Sequence, residues 1–207
     1  MPSPPGPSRA RKSDASPRAW QRMLSGRKLD LLDPSPFDIE IDDIAHGLAR
    51  VARWNGQTIG EHPFSVAQHS LVVIDIMDAL SPKQPVTAKL FALLHDAPEY
   101  VIGDMISPFK SALGLDYRAF EDRLASAIHM RFSLPPQMPG PLKALVKKAD
   151  VMSAWLEAVQ LAGFDVTEAN KFFRKPPDAA IFTLKPMSAA EAQTAFLVTF
   201  RALVDQE

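Results

Sequence analysis

From residue 41 onward, apolar side chains recur at intervals of three and four, the mark of helices that each bury one face. The segment "HPFSVAQHSLVVIDIMDAL" is the clearest case: Val66, His69, Val73, Ile76 and Leu80 share a face, and Ser81-Pro82 closes the run. Before it, "LDLLDPSPFDIE" reads as an extended lead with a Pro-rich turn, followed by a helix over 41–54 that Asn55-Gly56 stops. "PVTAKLFALLHDAPEYVIG" predicts a third helix, breaking near Pro98 or Gly103, and "DYRAFEDRLASAIHMRF" an amphipathic fourth ended by Leu134-Pro135-Pro136. In "GPLKALVKKADVMSAWLEAVQLAG" the stripe Leu142, Leu145, Ala149, Met152 and Leu156 predicts a long fifth helix, with Pro141 near its start and Gly163 after its end. A short helix near 167–173 and a last one over 188–204 complete the set. There is no sustained alternation of the kind a strand shows, and no internal repeat. The fold class expected is all-α, a compact bundle of about six to seven helices.

Composition adds limits to this picture. The 207 residues suit one domain, and 46% apolar with 23% charged residues is ordinary for a globular protein. Without any cysteine, disulfides, thiolate metal sites and cysteine nucleophiles are excluded, so a metal has only His, Asp and Glu to hold it. No apolar run approaches the ~20 residues that span a bilayer, which makes a cytoplasmic location and no membrane partner the expectation. Residues 1–28 carry Arg9, Arg11, Lys12, Arg18, Arg22, Arg27 and Lys28 against the single acid Asp14, in a Pro/Ser-rich setting with little to bury. That segment is expected to be a disordered basic tail, with the folded domain over 29–207. The rest of the chain is acidic, which argues against a nucleic-acid polymer as partner.

Charge placed inside apolar stripes changes the picture more. His69 lies mid-stripe on the second helix. His95 and Asp96 follow Phe91 and Ala92 by four at the core-facing end of the third. Asp150 borders the stripe of the fifth, four after Val146 and three before Ser153. Taken singly, His69 reads as a hydrogen-bonded core histidine and Asp96 as a helix-end cap. Together, three core-facing stripes deliver two imidazoles and two carboxylates to one interior, where unpaired carboxylates cost several kcal/mol each. A divalent cation compensates them, and a mixed N2O2 donor set suits Mn, Fe, Co, Ni or Zn without selecting among them. Such an ion lowers the pKa of bound water from 15.7 to about 7, making hydroxide available for attack. Glu99, three residues after Asp96, is within reach of a reacting proton if the helix continues; a solvated turn at Pro98 and Gly103 is the plain alternative.

The order His69, His95-Asp96, Asp150 resembles the H…HD…D pattern of the HD-domain metal-dependent phosphohydrolases. "RW" at 53–54, "HS" at 69–70, "HDAPEYVIGDMISPFK" and "KKADVMSAW" resemble in turn the motifs of the bacterial YfbR-like 5′-deoxynucleotidases, over about residues 41–160. The resemblance implies His69, His95, Asp96 and Asp150 as ligands of one metal, Glu99 as general acid/base, and Asp104 as a residue that orients the attacking water or touches substrate. It further implies Arg53 and Lys110 at the phosphate with Ser107 nearby, and Trp54 against the sugar, disfavouring a 2′-hydroxyl. A homodimer is implied by the family alone. The activity implied is removal of the 5′-phosphate of a deoxyribonucleoside monophosphate by attack of metal-bound hydroxide.

The lead "GEHPFSVAQHS" departs from the family pattern, with Gln68 where a Glu is usual and His62 in a loop. Two-metal relatives need further histidines after the HD pair, and only His129 follows, so one metal is expected. A dNTP triphosphohydrolase on the same metal is the enzyme alternative and would need basic residues around the phosphate tail, Arg118, Arg123 and Lys143 being the candidates. A nucleotide-binding module without turnover is the other. His46 and His129 read as structural, and Lys147 and Lys148 as a solvated face.

Overall fold

The computed structural model describes residues 19–105 and 115–206. Most of the expected tail, together with Ser107 and Lys110, lies outside the described residues.

Among the described residues there are eight α-helices and one two-stranded ribbon. The helices are α1 (Ile41–Leu48), α2 (Val66–Leu80), α3 (Val86–Leu93), α4 (Glu99–Ile102), α5 (Leu115–Arg131), α6 (Gly140–Gln160), α7 (Val166–Phe172) and α8 (Ala189–Val204). None of them is long and apolar enough to cross a membrane. The expected all-α bundle is the observed one, and α2 is its axis, packed against α3, α6 and α8. This position explains its sequence: Val66, Ala67, Val72, Val73, Ile74, Ile76 and Met77 are all buried, too many for one stripe, as befits a helix covered on several sides. Its N-terminus is closed by Ser65, whose hydroxyl accepts the Gln68 N–H at 3.3 Å. At α8, Ser188 and Glu191 form a reciprocal capping box, the serine hydroxyl meeting the Glu191 N–H and the glutamate the Ser188 N–H.

Two departures from the expected elements have tertiary causes. The first helix ends at Leu48, not near Trp54, because the next residues are claimed by the segment before α2. Ala52 forms an isolated antiparallel bridge with Ser65, the Val66 N–H donates to Val51 O at 3.0 Å, and the Arg53 N–H donates to Phe64 O at 2.8 Å. The other departure is a ribbon, β1 (Trp20–Arg22) paired antiparallel with β2 (Lys28–Asp30), inside the stretch expected as tail. Leu29 is fully buried, and Ser25 at the turn donates its N–H and hydroxyl to the Asp43 carboxylate at 3.0 and 2.5 Å. The ribbon is therefore held on the first turn of α1.

Candidate metal centre and phosphate site

The helices bring the sequence-predicted ligands together from three directions. His69 projects from α2 and is fully buried; His95 and Asp96 leave the turn after α3; Asp150 comes from α6. His69 Nε2 lies 3.3 Å from Asp150 Oδ1 and 3.5 Å from Asp96 Oδ2, and His95 Nε2 lies 3.2 Å from Asp96 Oδ2. One donor atom each from His69, His95 and Asp150 fall within 4.8 Å of one another.

The outer nitrogens decide which inner ones are available. His95 Nδ1 is 2.7 Å from Ala92 O, so it carries the proton and donates it. His69 Nδ1 is 2.6 Å from Glu157 Oε1, again a donor position. Both Nε2 atoms are then left facing the cluster, buried and without a hydrogen bond. Buried polar atoms are almost always paired, and two orphaned imidazole nitrogens aimed at two carboxylates are what a cation site requires. The residues fit a divalent ion.

The charges also hold one another. Burial works to lower the His69 proton affinity, and so does Arg53; Glu157 and Asp150 overcome both and raise its pKa to about 10. Burial opposes ionisation of Asp96, yet His95 and His69 hold that carboxyl well below the usual carboxylate range. Asp150 is lowered likewise against burial, chiefly by His69. Metal uptake by such a set displaces a proton.

Glu157 is the functional-site residue that sequence reasoning missed. It is fully buried, and against that burial Arg53 and His69 bring its pKa down to about 2. Oε1 accepts from His69 Nδ1 and from Ser153 Oγ (2.8 Å); Oε2 accepts from Trp54 Nε1 (2.8 Å) and Arg53 Nε (3.2 Å). The signal was present in the spacing: Asp150, Ser153 and Glu157 stand at i, i+3 and i+7 on α6, one continuous face.

Of the residues expected at the substrate, Arg53 and Trp54 sit in the turn after α1. Arg53 is nearly buried and bridges Glu157 and Asp104, its Nη1 lying 3.3 Å from Asp104 Oδ2. Trp54 commits its N–H to Glu157, and its ring centroid is 5.6 Å from those of both Phe164 and Phe173. Trp54 and Asn55 both adopt left-handed backbone (φ 56 and 50). Glu99 is buried as the first residue of α4, its N–H donating to Asp96 O at 3.0 Å. A cavity of about 490 Å³ opens beside His95, Asp96 and Asp150, with Met138, Lys143 and Lys147 on its α6 side. Lys147 pairs with Asp150 Oδ2 at 2.7 Å, while Arg118 and Arg123 are exposed on α5.

Gln68, the departure from the family pattern, has a structural role: its amide donates to Lys185 O (2.9 Å) and accepts from Met187 N–H (2.8 Å). His62 lies near Glu191, whose carboxyl it helps to lower behind the larger effect of Ser188.

A helical bundle presenting two histidines and two carboxylates beside a cavity that Lys143 and Lys147 also line fits a metal-dependent phosphohydrolase. The sequence comparisons define it further, and the chain belongs to the YfbR-like 5′-deoxynucleotidase family, whose model matches residues 45–202. It is 52% identical over 189 residues to an uncharacterised protein of Rhodobacter capsulatus, covering 90% of this chain and 96% of that one. It is 30% identical over 166 residues to the uncharacterised protein YfdR of Escherichia coli, covering 80% and 85%. A more distant relative is the 4′-phosphooxetanocin A phosphatase of Priestia megaterium, 29% identical over 119 residues, with 53% and 60% covered.

Proposed function

We propose that the protein removes the 5′-phosphate of deoxyribonucleoside monophosphates, with His69, His95, Asp96 and Asp150 holding one divalent cation. The observation that carries this reading is the pair of buried, unpaired Nε2 atoms facing the Asp96 and Asp150 carboxylates. When bound, the cation supplies an acidified water and withdraws charge from a phosphoryl oxygen. The protein's own groups do the remainder. Glu99 handles the proton of the attacking water or of the leaving oxygen, a contribution worth about 10²–10⁴ in rate. Asp104, tied to Arg53, orients the attacking water or meets the substrate. Arg53, Lys110 and Ser107 meet the phosphate, where cationic and hydroxyl donors stabilise developing charge. Trp54 has its N–H engaged, so its ring is the part that meets the sugar and disfavours a 2′-hydroxyl.

The test is phosphate release from a panel of NMPs, dNMPs and dNTPs by metal-stripped protein with Mn²⁺, Co²⁺ or Mg²⁺ restored. Activity is expected to need added metal, to favour deoxyribonucleoside monophosphates and to vanish in Asp96→Ala. Equal rates on ribo- and deoxyribonucleotides would remove the role given to Trp54. Lys143 on the cavity wall supports a second reading, triphosphate release from a dNTP, which the same panel separates by its product. By family likeness two copies associate, and light scattering reads that directly.

A further inference from the structure

We infer that Glu157 is a positioning residue that sets the metal ligand His69 and the substrate-side residues Arg53 and Trp54 in register through one carboxylate. This rests on the reading of Arg53 and Trp54 as substrate contacts. The carboxylate has two oxygens, each using both of its acceptor positions. One oxygen serves His69 and Ser153, the other Trp54 and Arg53. All four donors belong to side chains, and they come from the turn after α1, from α2 and from α6.

The two halves differ in what they need. On one side, the Glu157 acceptor at 2.6 Å keeps a proton on Nδ1, so that Nε2, facing Asp96 and Asp150, is the nitrogen that would hold a cation; outer partners of this kind set ligand orientation and basicity. On the other, Trp54 sits in left-handed backbone, a conformation unfavourable for a bulky residue. Such residues persist where their surroundings over-determine them. Here the Arg53 N–H on Phe64 O, the Gln57 N–H on Trp54 O and the indole N–H on Glu157 provide that. A neutral amide in place of Glu157 serves only one half. With its oxygen toward His69, its NH2 meets the N–H groups of Trp54 and Arg53. Turned the other way, its NH2 meets Nδ1, and the imidazole proton moves to Nε2, where the cation binds.

The experiment compares wild type, Glu157→Gln and Glu157→Asp as full-length, metal-stripped chains. Mn²⁺ affinity is measured by competition with a chromophoric chelator, the Co²⁺ ligand-field spectrum is recorded, and kcat/KM is compared for dNMP and NMP. Glu157→Gln is expected to weaken Mn²⁺ by about 10–100-fold, the range for an outer partner of a ligating histidine. It is also expected to shift the Co²⁺ bands and to narrow the deoxyribose preference. A folded Glu157→Gln with Mn²⁺ affinity within twofold of wild type overturns the inference. Should that variant not fold, Glu157→Asp decides. Its charge is kept but drawn back by one methylene, so a loss of about threefold or more supports the inference and a loss under twofold overturns it. Failure of the proposed activity looks different: wild type would bind Mn²⁺ and leave dNMPs intact, and the affinity arm would still read Glu157.

Discussion

Gly47 lies inside α1, where glycine costs about 1 kcal/mol relative to alanine, so Gly47→Ala ought to stabilise an isolated helix. The structure predicts otherwise. A Cβ on Gly47 would sit 2.7 Å from Tyr100 Cβ, 3.0 Å from Tyr100 O and 3.1 Å from its Cα. These are backbone and near-backbone atoms of α4, so no side-chain rotation relieves them. The helices must part by about 0.7 Å to reach ordinary contact at 3.4 Å. Overpacking of this kind costs about 1–3 kcal/mol. Set against the helix gain of about 1 kcal/mol, the net loss is about 0–2 kcal/mol, a fall in Tm of no more than about 8 °C at this chain length. The functional effect is expected to be larger, because Glu99 is the neighbour of Tyr100 and moves with α4. A misplacement near 1 Å costs about 10²-fold in rate, so kcat should drop about 10–100-fold. His69 and Asp150 stand on α2 and α6 and keep their places, while Asp96, whose carbonyl accepts the Glu99 N–H, moves in part with α4, so Mn²⁺ affinity should fall by less than kcat does. Phosphate release, thermal melting and metal competition on the same preparation test this. A variant with wild-type kcat, or one whose kcat falls only in step with metal affinity, would refute the argument that the α1–α4 contact places Glu99.

Other outcomes follow from buried polar groups. Gln68→Glu replaces an amide that donates to Lys185 O with a carboxylate that cannot, facing a carbonyl in a buried site. A loss of about 2–4 kcal/mol is expected at neutral pH, shrinking as the new carboxyl protonates, and urea melts at pH 7 and pH 5 check it. His129 is buried, which lowers its proton affinity although Pro136 O favours the charged ring. The unfolded chain gains a proton near pH 6.5 that the folded chain resists. Stability from this residue is therefore complete above that pH and declines below it, and His129→Gln should flatten the urea midpoint between pH 7 and 5. An unchanged slope would exclude His129 as its source.

Much of this molecule could be read from its sequence, because local pattern and tertiary role coincide along its helices. The stripe through Val66, His69, Val73 and Ile76 gave both α2 and the direction of its ligand. The unreadable parts depend on partners distant in sequence. Nothing local to residues 49–54 announces that Phe64 and Ser65 will take their backbone groups and end α1 early. Glu157 shares a helix face with Asp150 and Ser153, a spacing that marks it as a neighbour of the site, but the partners that give it a role, His69, Trp54 and Arg53, are 88, 103 and 104 residues away. Leu29 is the one fully buried residue of the ribbon, and strands of three residues are too short a pattern to announce it. Arg53 was legible as a cation near the site, but its two carboxylate partners, Glu157 and Asp104, lie 104 and 51 residues away.

The position of α2 at the axis also determines how the domain opens. A helix covered by α3, α6 and α8 cannot expose its amides while those neighbours stay in place. Hydrogen exchange in the middle of α2 should therefore proceed by global unfolding, and its rate reports the free energy of the whole domain. Since His69 belongs to that helix, a bound cation would slow those amides by a factor of one plus the ratio of free cation to its Kd. The central helix thus makes metal binding measurable as a property of the backbone, without any substrate present.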